Sequence, residues 1–180
     1  LKLEWVQRWV PAGARLLDAG CNFGHFLREA RAAYDARGFD VSPQAVAWGQ
    51  RRFGVSSFVA SIYDLAPGLR GTCDAVTCWD VIEHLPKAEG WTMLDELERV
   101  CRGHLVVMTP HGFVEQPPGP DQPWMEHLSG WWPDDFRGRG FEVRGAGGVR
   151  FARGALSAFR WGPVGKAVGV ATVPMARRRC

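Results

Sequence analysis

The fold of this chain is decided by one stretch, Leu16-Leu17-Asp18-Ala19-Gly20-Cys21-Asn22-Phe23-Gly24. An apolar strand there ends in an acid, crosses a glycine turn and runs into a helix. The apolar face of that helix is expected to consist of Phe23, Phe26, Leu27 and Ala30. Open α/β sheets bind ligands at such a joint, because glycine lets a ligand lie against bare backbone. The spacing argues against a dinucleotide fingerprint, because Asn22 and His25 occupy two of its three glycine positions.

Asp18, Gly20 and Gly24 form the pattern Asp-x-Gly-x-x-x-Gly. It resembles motif I of the class I S-adenosylmethionine (SAM) methyltransferases, which implies SAM as cofactor and S-adenosylhomocysteine as product. A carboxylate at Asp18 suits the cationic methionine end of SAM, and backbone N–H groups near Gly20 suit its carboxylate. Cys21 and Asn22 share this loop and are assigned to the same site. A structural turn without a ligand is the alternative for this motif alone.

A second acidic strand end lies at Asp40, 20 positions after Gly20. A carboxylate there can accept both hydroxyls of a ribose, whereas a lone acid at a strand end could equally be a surface residue. Combined with motif I, this spacing predicts that Asp40 binds the ribose, and Val41 is assigned to the same site. The Ser-Pro pair that follows predicts a helix over residues 43 to about 53.

The adenine end of the cofactor is expected to meet the residues after a short third strand at 57–61. Methyltransferases of this type often carry an aspartate where this chain has Ser61, so the chain departs from the family pattern there. Ser61 or a backbone group is expected to hold the adenine, with Ile62 packing on its face. Cys78 and Trp79, at the end of the fourth strand, complete the predicted cofactor site.

The second informative segment is a mostly apolar strand at about 73–79 that continues as Asp80-Val81-Ile82-Glu83-His84-Leu85-Pro86. It closely resembles the segment after the fourth strand in the small-molecule branch of the same family. A helix over about 89–101 and a fifth strand over 103–109 are predicted next. Residues 140–143 resemble the family's Gly-Phe-x-Val entry to the sixth strand, and a seventh strand is predicted over 155–161.

The order of these elements predicts an α/β fold: a Rossmann-like, mostly parallel, seven-stranded sheet with helices on both faces. A length of 180 residues fits one domain. We assign it to residues 1–160, with a lid-like insertion at about 110–133, followed by a basic Gly- and Pro-containing tail at 161–180. Residues 137–180 carry ten Lys or Arg and one acid. This charge suits an anionic partner, but a solvated edge and tail is at least as good an explanation.

The five cysteines lack the paired short spacings of a zinc site. Four of them lie in or beside predicted core elements, where a free thiol behaves as a small hydrophobe. A reducing, cytoplasmic location is therefore predicted. No apolar run reaches the roughly 18 residues needed to span a bilayer, and no signal peptide is visible, although the chain begins at Leu1. The oligomeric state is left open.

Methyl transfer from a sulfonium is an in-line displacement, for which a protein mainly supplies alignment. A hydroxyl acceptor also needs a base or a metal to take its proton. Three histidines are candidate bases, ranked His84 after the fourth strand, His127 in the lid-like insertion and His111 after the fifth strand. The insertion also contributes three tryptophans that are expected to wall an apolar or aromatic acceptor: Trp124, Trp131 and Trp132.

A metal is a further possibility, because Asp80, Glu83 and His84 resemble the acidic-histidine cluster of some quinone-pathway O-methyltransferases. Those enzymes use the cluster to hold a divalent cation near a catechol. We predict no metal, because the Glu-His pair is widespread in members thought not to need one. In addition, Asp80 replaces the glutamate expected at that position.

The sequence thus predicts a bacterial-type, SAM-dependent methyltransferase acting on a small-molecule acceptor, with oxygen as the favoured atom and a histidine as base. An NAD-linked reductase is an alternative, against which the glycine spacing argues. A nucleic-acid methyltransferase would use the basic last third, but such enzymes usually place Asn/Asp-Pro-Pro-aromatic after the fourth strand, so nucleic acid is an unlikely partner. A non-catalytic SAM-binding or interaction domain is the third alternative.

Overall fold

A computed structural model describes residues 2–65, 67–120, 122–146 and 173–180. The chain forms two compact units. The first contains Leu1–Trp79, Thr92–Val106 and Arg179–Cys180, and the second contains Asp80–Trp91 and Val107–Arg178. The boundary predicted at 160/161 lies outside the described residues, as does the strand predicted at 155–161.

The described strands are β1 (Arg15–Ala19), β2 (Asp35–Asp40), β3 (Ser56–Val59), β4 (Cys73–Trp79), β5 (Cys101–Met108), β6 (Glu142–Ala146) and β7 (Val173–Arg179). The helices are α1 (Lys2–Val6), α2 (His25–Ala30), α3 (Pro43–Phe53), α4 (Lys87–Val100) and α5 (Pro133–Arg137). Short 3₁₀ turns lie at Ile62–Asp64, Pro67–Leu69, Ile82–His84 and Pro123–Met125.

The sheet of the first unit has the strand order β3-β2-β1-β4-β5. Strand β1 pairs in parallel with β2 and β4, and β2 pairs in parallel with β3. Helices α2 and α3 pack on β2, and α3 also packs on β3. Strands β1 and β4 are buried almost throughout, as expected for strands covered on both faces. The predicted Rossmann-like, mostly parallel α/β architecture is confirmed.

Local signals placed α3 correctly. The hydroxyl of Ser42 accepts a hydrogen bond from the N–H of Ala45 at 3.2 Å, and Pro43 begins the helix. Gly54 then ends it in the left-handed conformation, with φ of 62°. The helix after motif I was predicted less well, because it begins only at His25. Phe23 is therefore 37% exposed rather than part of the buried face.

Strand β3 is the outermost strand of the first unit's sheet. It has only four residues, and its apolar side chains Phe58 and Val59 are 38% and 51% exposed. The side-chain amide of Gln50, on α3, donates to the carbonyl of Ser57 at 2.6 Å. A side chain from the neighbouring helix thus occupies one acceptor of this strand.

The end of the predicted basic tail is a strand rather than a tail. Strand β7 pairs antiparallel with β6 in the second unit, with Val143 opposite Ala176. This pairing joins segments that are distant in sequence, and the local composition Val-Pro-Met-Ala-Arg-Arg-Arg carries no clear strand pattern. A partner strand can decide the conformation of a segment whose own pattern is weak.

The prediction that Cys101 is a free thiol is wrong, because Cys101 and Cys180 form a disulfide. Their Cα atoms lie 5.9 Å apart across a separation of 79 residues, and the N–H of Cys180 donates to the carbonyl of Gly103 at 2.8 Å. Cys21, Cys73 and Cys78 are free and buried, as predicted. Disulfides persist mainly in oxidising compartments, and the cytoplasmic location stays a prediction. Within the described residues, no helix is long and apolar enough to cross a bilayer.

Candidate functional site

The glycine loop that joins β1 to α2 is built from left-handed backbone positions. Gly20 and Gly24 have φ of 72° and 73°, and Asn22 between them has φ of 46°. Asparagine is one of the few residues other than glycine that tolerate such values. The N–H groups of Gly20 and Cys21 both donate to the carbonyl of Phe39 at 2.9 Å. The loop is therefore held against the end of β2.

Asp40, the predicted ribose ligand, organises this loop from the end of β2. Its Oδ2 accepts from the N–H of Asn22 at 2.8 Å, and its Oδ1 accepts from the N–H of Ser42 at 2.9 Å. A carboxylate has about four acceptor positions, so these two bonds orient the group and leave capacity for two hydroxyls. The N–H groups of Gly20, Cys21 and Asn22 already have acceptors, so they do not support the predicted contact with the cofactor's carboxylate.

Asp18, at the end of β1, is a buried carboxyl with a buried partner. It is 1% exposed, and the hydroxyl of Thr77 donates to its Oδ1 at 2.7 Å. Burial raises the pKa of Asp18 to about 7, against the lowering effects of the Thr77 hydrogen bond and of the Lys2 ammonium. The nearby carboxylate of Asp40 raises it slightly further. A ligand cation next to Asp18 would favour the ionised form.

The predicted cofactor residues Cys78 and Trp79 at the end of β4, and Cys21 in the glycine loop, are all buried. Cys78 is fully buried, and Trp79 is 6% exposed with its ring 5.2 Å from that of Phe26. The Lys2 ammonium lies 5.5 Å from the centre of the Trp79 ring. Burial, followed by the carboxylates of Asp18 and Asp40, raises the pKa of the Cys21 thiol far above neutrality. This shift favours the neutral thiol form of Cys21 near pH 7.

The predicted adenine contacts lie beyond β3. The N–H of Ala60 donates to the carbonyl of Asp40 at 3.1 Å, which joins this segment to the end of β2. The Ser61 hydroxyl accepts from the N–H of Tyr63 at 3.3 Å, so it begins the next 3₁₀ turn. Ile62 is 9% exposed, whereas Val41 is 52% exposed. Val41 thus presents a large open apolar surface.

The structure therefore brings the motif I loop, Asp18, Asp40 and the end of β4 together at the carboxyl edge of adjacent parallel strands. Sequence reasoning missed Thr77 and Lys2. Thr77 had a usable signal, because it is a hydroxyl within an otherwise apolar strand end, Ala75-Val76-Thr77-Cys78-Trp79. Lys2 had none, because a single lysine in a five-residue helix is common on any surface.

In the second unit, His84 and His127 lie side by side. Their ring centroids are 4.8 Å apart. His84 Nδ1 is 3.0 Å from the carbonyl oxygen of Glu126, and His127 Nδ1 is 2.7 Å from that of Val114. A carbonyl oxygen only accepts, so each Nδ1 carries a proton, and in a neutral imidazole Nε2 is then the acceptor. Burial lowers the pKa of His84 against the raising effect of the Glu126 hydrogen bond, and the nearby His127 lowers it further. A neutral imidazole suits a base or a metal ligand.

Glu83 lies next to this histidine pair and is 2% exposed. The Thr109 hydroxyl donates to its Oε2 at 2.9 Å, and its backbone carbonyl accepts from the N–H groups of Leu128 and Ser129. Ligand atoms of Glu83, His84 and His127 all lie within 4.8 Å of one another, the one such group in the described part of the chain. This set replaces the alternative metal set of the sequence, because His127 joins it and Asp80 does not.

His111 is not a member of this cluster. Its ring packs edge-on against Trp132 at 5.2 Å, and burial lowers the pKa of His111. Its Nε2 is buried without a hydrogen-bond partner in the described ranges. The structure therefore keeps His111 apart from the pair that the other two candidate bases form.

The far end of the lid-like insertion is a fixed part of the core. Trp131 is fully buried, and its Nε1–H donates to the Ser129 hydroxyl at 2.8 Å. The Lys87 ammonium lies 3.7 Å from the centre of the Trp131 ring and donates to Asp135 at 2.6 Å. The prediction that Trp131 walls the acceptor is therefore wrong, because its indole fills the interior. Trp124, at 43% exposed, remains available for contact.

Comparison with known proteins adds the family. Residues 3–146 match the family model described as a methyltransferase domain. The chain is 38% identical over 94 residues to a protein of Xanthomonas axonopodis pv. citri named ubiquinone biosynthesis O-methyltransferase, covering 48% of this chain and 39% of that one. A protein of the same name from Thiobacillus denitrificans is 30% identical over 135 residues, with coverage of 63% and 58%. The chain spans about half the length of these curated relatives.

Solved structures share the fold at low identity. Magnesium protoporphyrin IX methyltransferase from Synechocystis, with bound S-adenosylhomocysteine, has a TM-score of 0.62 at 17% identity, covering 99% of this chain and 80% of that one. A SAM-dependent methyltransferase from Archaeoglobus fulgidus has a TM-score of 0.68 at 13% identity, covering 99% and 91%. These similarities establish the fold.

Proposed function

Because this chain belongs to the methyltransferase domain family, we propose that it transfers a methyl group from SAM to an oxygen of a small-molecule acceptor. The observation that carries the proposal is the pair Asp18 and Asp40, set on adjacent parallel strands beside a left-handed glycine loop. One carboxyl is buried and suited to a cation, and the other is half-buried with acceptor capacity to spare for a diol. SAM carries both of these groups.

The residues of this site fit the three ends of SAM. Asp18 would bind the ammonium of the methionine end, and Lys2, whose ammonium acts on Asp18 electrostatically, would bind the neighbouring carboxylate. Asp40 would hold the ribose hydroxyls, and Val41, Ser61 and Ile62 would contact the adenine. SAM supplies an electrophilic methyl group on a sulfonium, so the chain's own task is to align the acceptor and to take its proton.

His84 is the proposed base. Its Nδ1 is fixed by the carbonyl of Glu126, which turns Nε2 into the acceptor of a proton. Its lowered pKa keeps the imidazole neutral near pH 7, so the lone pair is available without prior deprotonation. His127 packs on the same ring and positions it. The relatives named O-methyltransferases support oxygen as the acceptor atom.

A metal-assisted variant is a second candidate, favoured by the Glu83, His84 and His127 cluster. Two imidazole nitrogens and a carboxylate oxygen are common ligands of divalent transition metals. In both histidines Nδ1 is hydrogen-bonded to a backbone carbonyl. Such a bond orients the ring and is frequent in metal-binding histidines. In this variant a bound cation would lower the pKa of the acceptor hydroxyl, and His84 would be a ligand instead of a base.

The primary test is calorimetry of cofactor-stripped protein with SAM, followed by a screen of phenols, sugars and amines read out as S-adenosylhomocysteine formation. Asp40→Ala should weaken SAM binding by about 1–3 kcal/mol, the value of a lost hydrogen bond to a charged group. Asp35→Ala, which removes an exposed acid from the start of the same strand, is the matched control. Absence of SAM binding by the unmodified chain would refute the proposal.

Binding without turnover of any acceptor would instead favour the non-catalytic alternative. The nucleic-acid alternative depends on basic residues that lie mostly outside the described ranges. It would gain support only from methylation of DNA or RNA in the same screen. EDTA treatment followed by re-addition of Mg²⁺ or Zn²⁺ distinguishes the metal-assisted variant from the histidine-base mechanism.

A further inference from the structure

Thr77 is placed opposite Asp18 by the sheet itself. In the parallel pairing of β1 with β4, Asp18 stands directly across from Thr77, and Ala19 stands across from Cys78. Residues opposite each other on neighbouring strands project on the same face of a sheet. Both side chains are buried, at 1% and 0% exposure, and the hydroxyl-to-carboxylate distance is 2.7 Å. The buried hydroxyl of β4 and the buried carboxyl of β1 are therefore hydrogen-bonded to each other.

The bond has a defined direction. An ionised carboxylate only accepts, so the Thr77 hydroxyl is the donor. Threonine is branched at Cβ and therefore stiff in its first side-chain torsion, which fixes where its hydroxyl points. Valine at this position would keep the packing volume while leaving the Asp18 oxygen without this donor. Thr77 is therefore not explained by packing alone.

The charges around Asp18 show what the hydrogen bond opposes. Burial disfavours the ionised carboxylate most strongly, and the Asp40 carboxylate on β2 adds to that effect. The Thr77 hydrogen bond is the largest influence in the opposite direction, followed by the Lys2 ammonium of α1. The adjacent Cys21 thiol is neutral and contributes no charge. Ionisation of Asp18 near pH 7 thus depends on one hydroxyl and one lysine.

We propose that Thr77 is a positioning residue for cofactor binding: its hydroxyl orients the Asp18 carboxylate and keeps it ionised to receive the ligand's ammonium. This inference rests on the proposed function, because it assumes that Asp18 meets the methionine end of SAM. Thr77 itself touches no ligand in this scheme. Its loss raises the proton affinity of Asp18, so the ligand must displace a proton before its ammonium is bound.

The consequence is a pH-dependent defect. In Thr77→Val, a larger fraction of Asp18 is protonated at pH 7, so affinity for S-adenosylhomocysteine should fall by about tenfold to a hundredfold, the range for a lost hydrogen bond to a charged group. At pH 8.5 more of the carboxyl is ionised even without the hydroxyl, so the ratio of the variant's Kd to the wild-type Kd should shrink. Thr77→Ser restores the donor and should return both the affinity and the pH profile. A purely structural role would give a ratio that does not change with pH.

The experiment is calorimetry of the full chain with S-adenosylhomocysteine between pH 6 and pH 8.5. Dissociation constants are compared as variant-to-wild-type ratios at each pH, so the ligand's own titration cancels. If valine prevents folding, Thr77→Cys offers a similar volume with a much weaker donor, and the same ratio is expected to shrink with pH. A ratio near one throughout, a ratio independent of pH, or failure of Thr77→Ser to restore the profile would overturn the inference alone. Absence of binding by the wild-type chain would overturn the proposed function and this inference with it.

Discussion

Replacement of Asp18 by asparagine should stabilise the protein without cofactor while removing its ability to bind one. Burial raises the pKa of Asp18 from 3.8 to about 7, a shift of about three units, and each unit corresponds to about 1.4 kcal/mol. The folded state therefore holds a proton that the unfolded state has released between about pH 4 and pH 7. Ionising the buried carboxyl costs about 4 kcal/mol above pH 7.

The sign of this effect sets the expected curve. Because the folded pKa is raised, the wild-type protein is most stable relative to the variant below the unfolded pKa, and it loses that stability as pH rises through 7. Asparagine is isosteric, cannot ionise, and keeps an oxygen to accept from Thr77. The variant should therefore exceed the wild type by about 4 kcal/mol at pH 8, and the gain should vanish near pH 4. For a chain of this size that equals about 8–16 °C in Tm.

The assay is urea unfolding of cofactor-stripped protein from pH 4.5 to pH 8.5, with binding measured in parallel. Asp95→Asn, at an exposed position of α4, is the matched control for the loss of one carboxylate. A difference between Asp18→Asn and wild type that is constant with pH would refute the reasoning. So would a variant that is less stable at pH 8.

Three further outcomes follow from the second unit and the disulfide. His84→Ala should lower kcat by about 10²–10⁴-fold with SAM affinity unchanged. As pH rises, the kcat of the wild type should reach its plateau below pH 7, because the pKa of His84 is lowered. The control His25→Ala, which removes an exposed imidazole on α2, should keep full activity, and equal effects of the two variants would contradict the base role. Cys101→Ser should lower the free energy of unfolding by about 3–5 kcal/mol. Dithiothreitol should lower the free energy of unfolding of the wild type by a similar amount and should leave that of the variant unchanged. An unchanged wild-type Tm under reduction would count against the disulfide. Trp131→Ala should lower the stability of the folded protein by about 3–5 kcal/mol, and Trp124→Ala should lower it by less than about 0.5 kcal/mol. Comparable losses of stability in denaturant unfolding would show that Trp131 does not anchor the insertion.

The parts of the fold that could be predicted are those with local causes. Helix α3 has its N-cap, its proline and its terminal glycine in one short stretch, and its predicted bounds agree with the structure. The placement of Asp40 at the end of β2 could be predicted from its distance of 20 positions after Gly20. Phe23 was placed wrongly because periodicity does not show where a left-handed loop ends and a helix begins. Three left-handed positions before His25 delay that helix.

What could not be predicted depends on pairing between distant segments. Cys101 and Cys180 are 79 positions apart in sequence, and only the folded chain brings their Cα atoms to 5.9 Å. His127 lies beside Glu83 and His84 because the N–H groups of the next two residues donate to the carbonyl of Glu83. The sequence around His127 does not predict this contact. Thr77 is an intermediate case. Its polar side chain in an apolar strand was visible, but its partner was defined only by the strand register.

The outer strand β3 is an open edge of the first unit's sheet, and such an edge matters at high protein concentration. A sheet edge can accept a strand from another molecule, and this is a common route to aggregation. Here the edge is short, and the Gln50 amide already occupies the carbonyl of Ser57. This hydrogen bond leaves one carbonyl fewer on β3 for a strand of another molecule. We therefore expect Gln50→Ala to aggregate more readily than the wild type at high concentration.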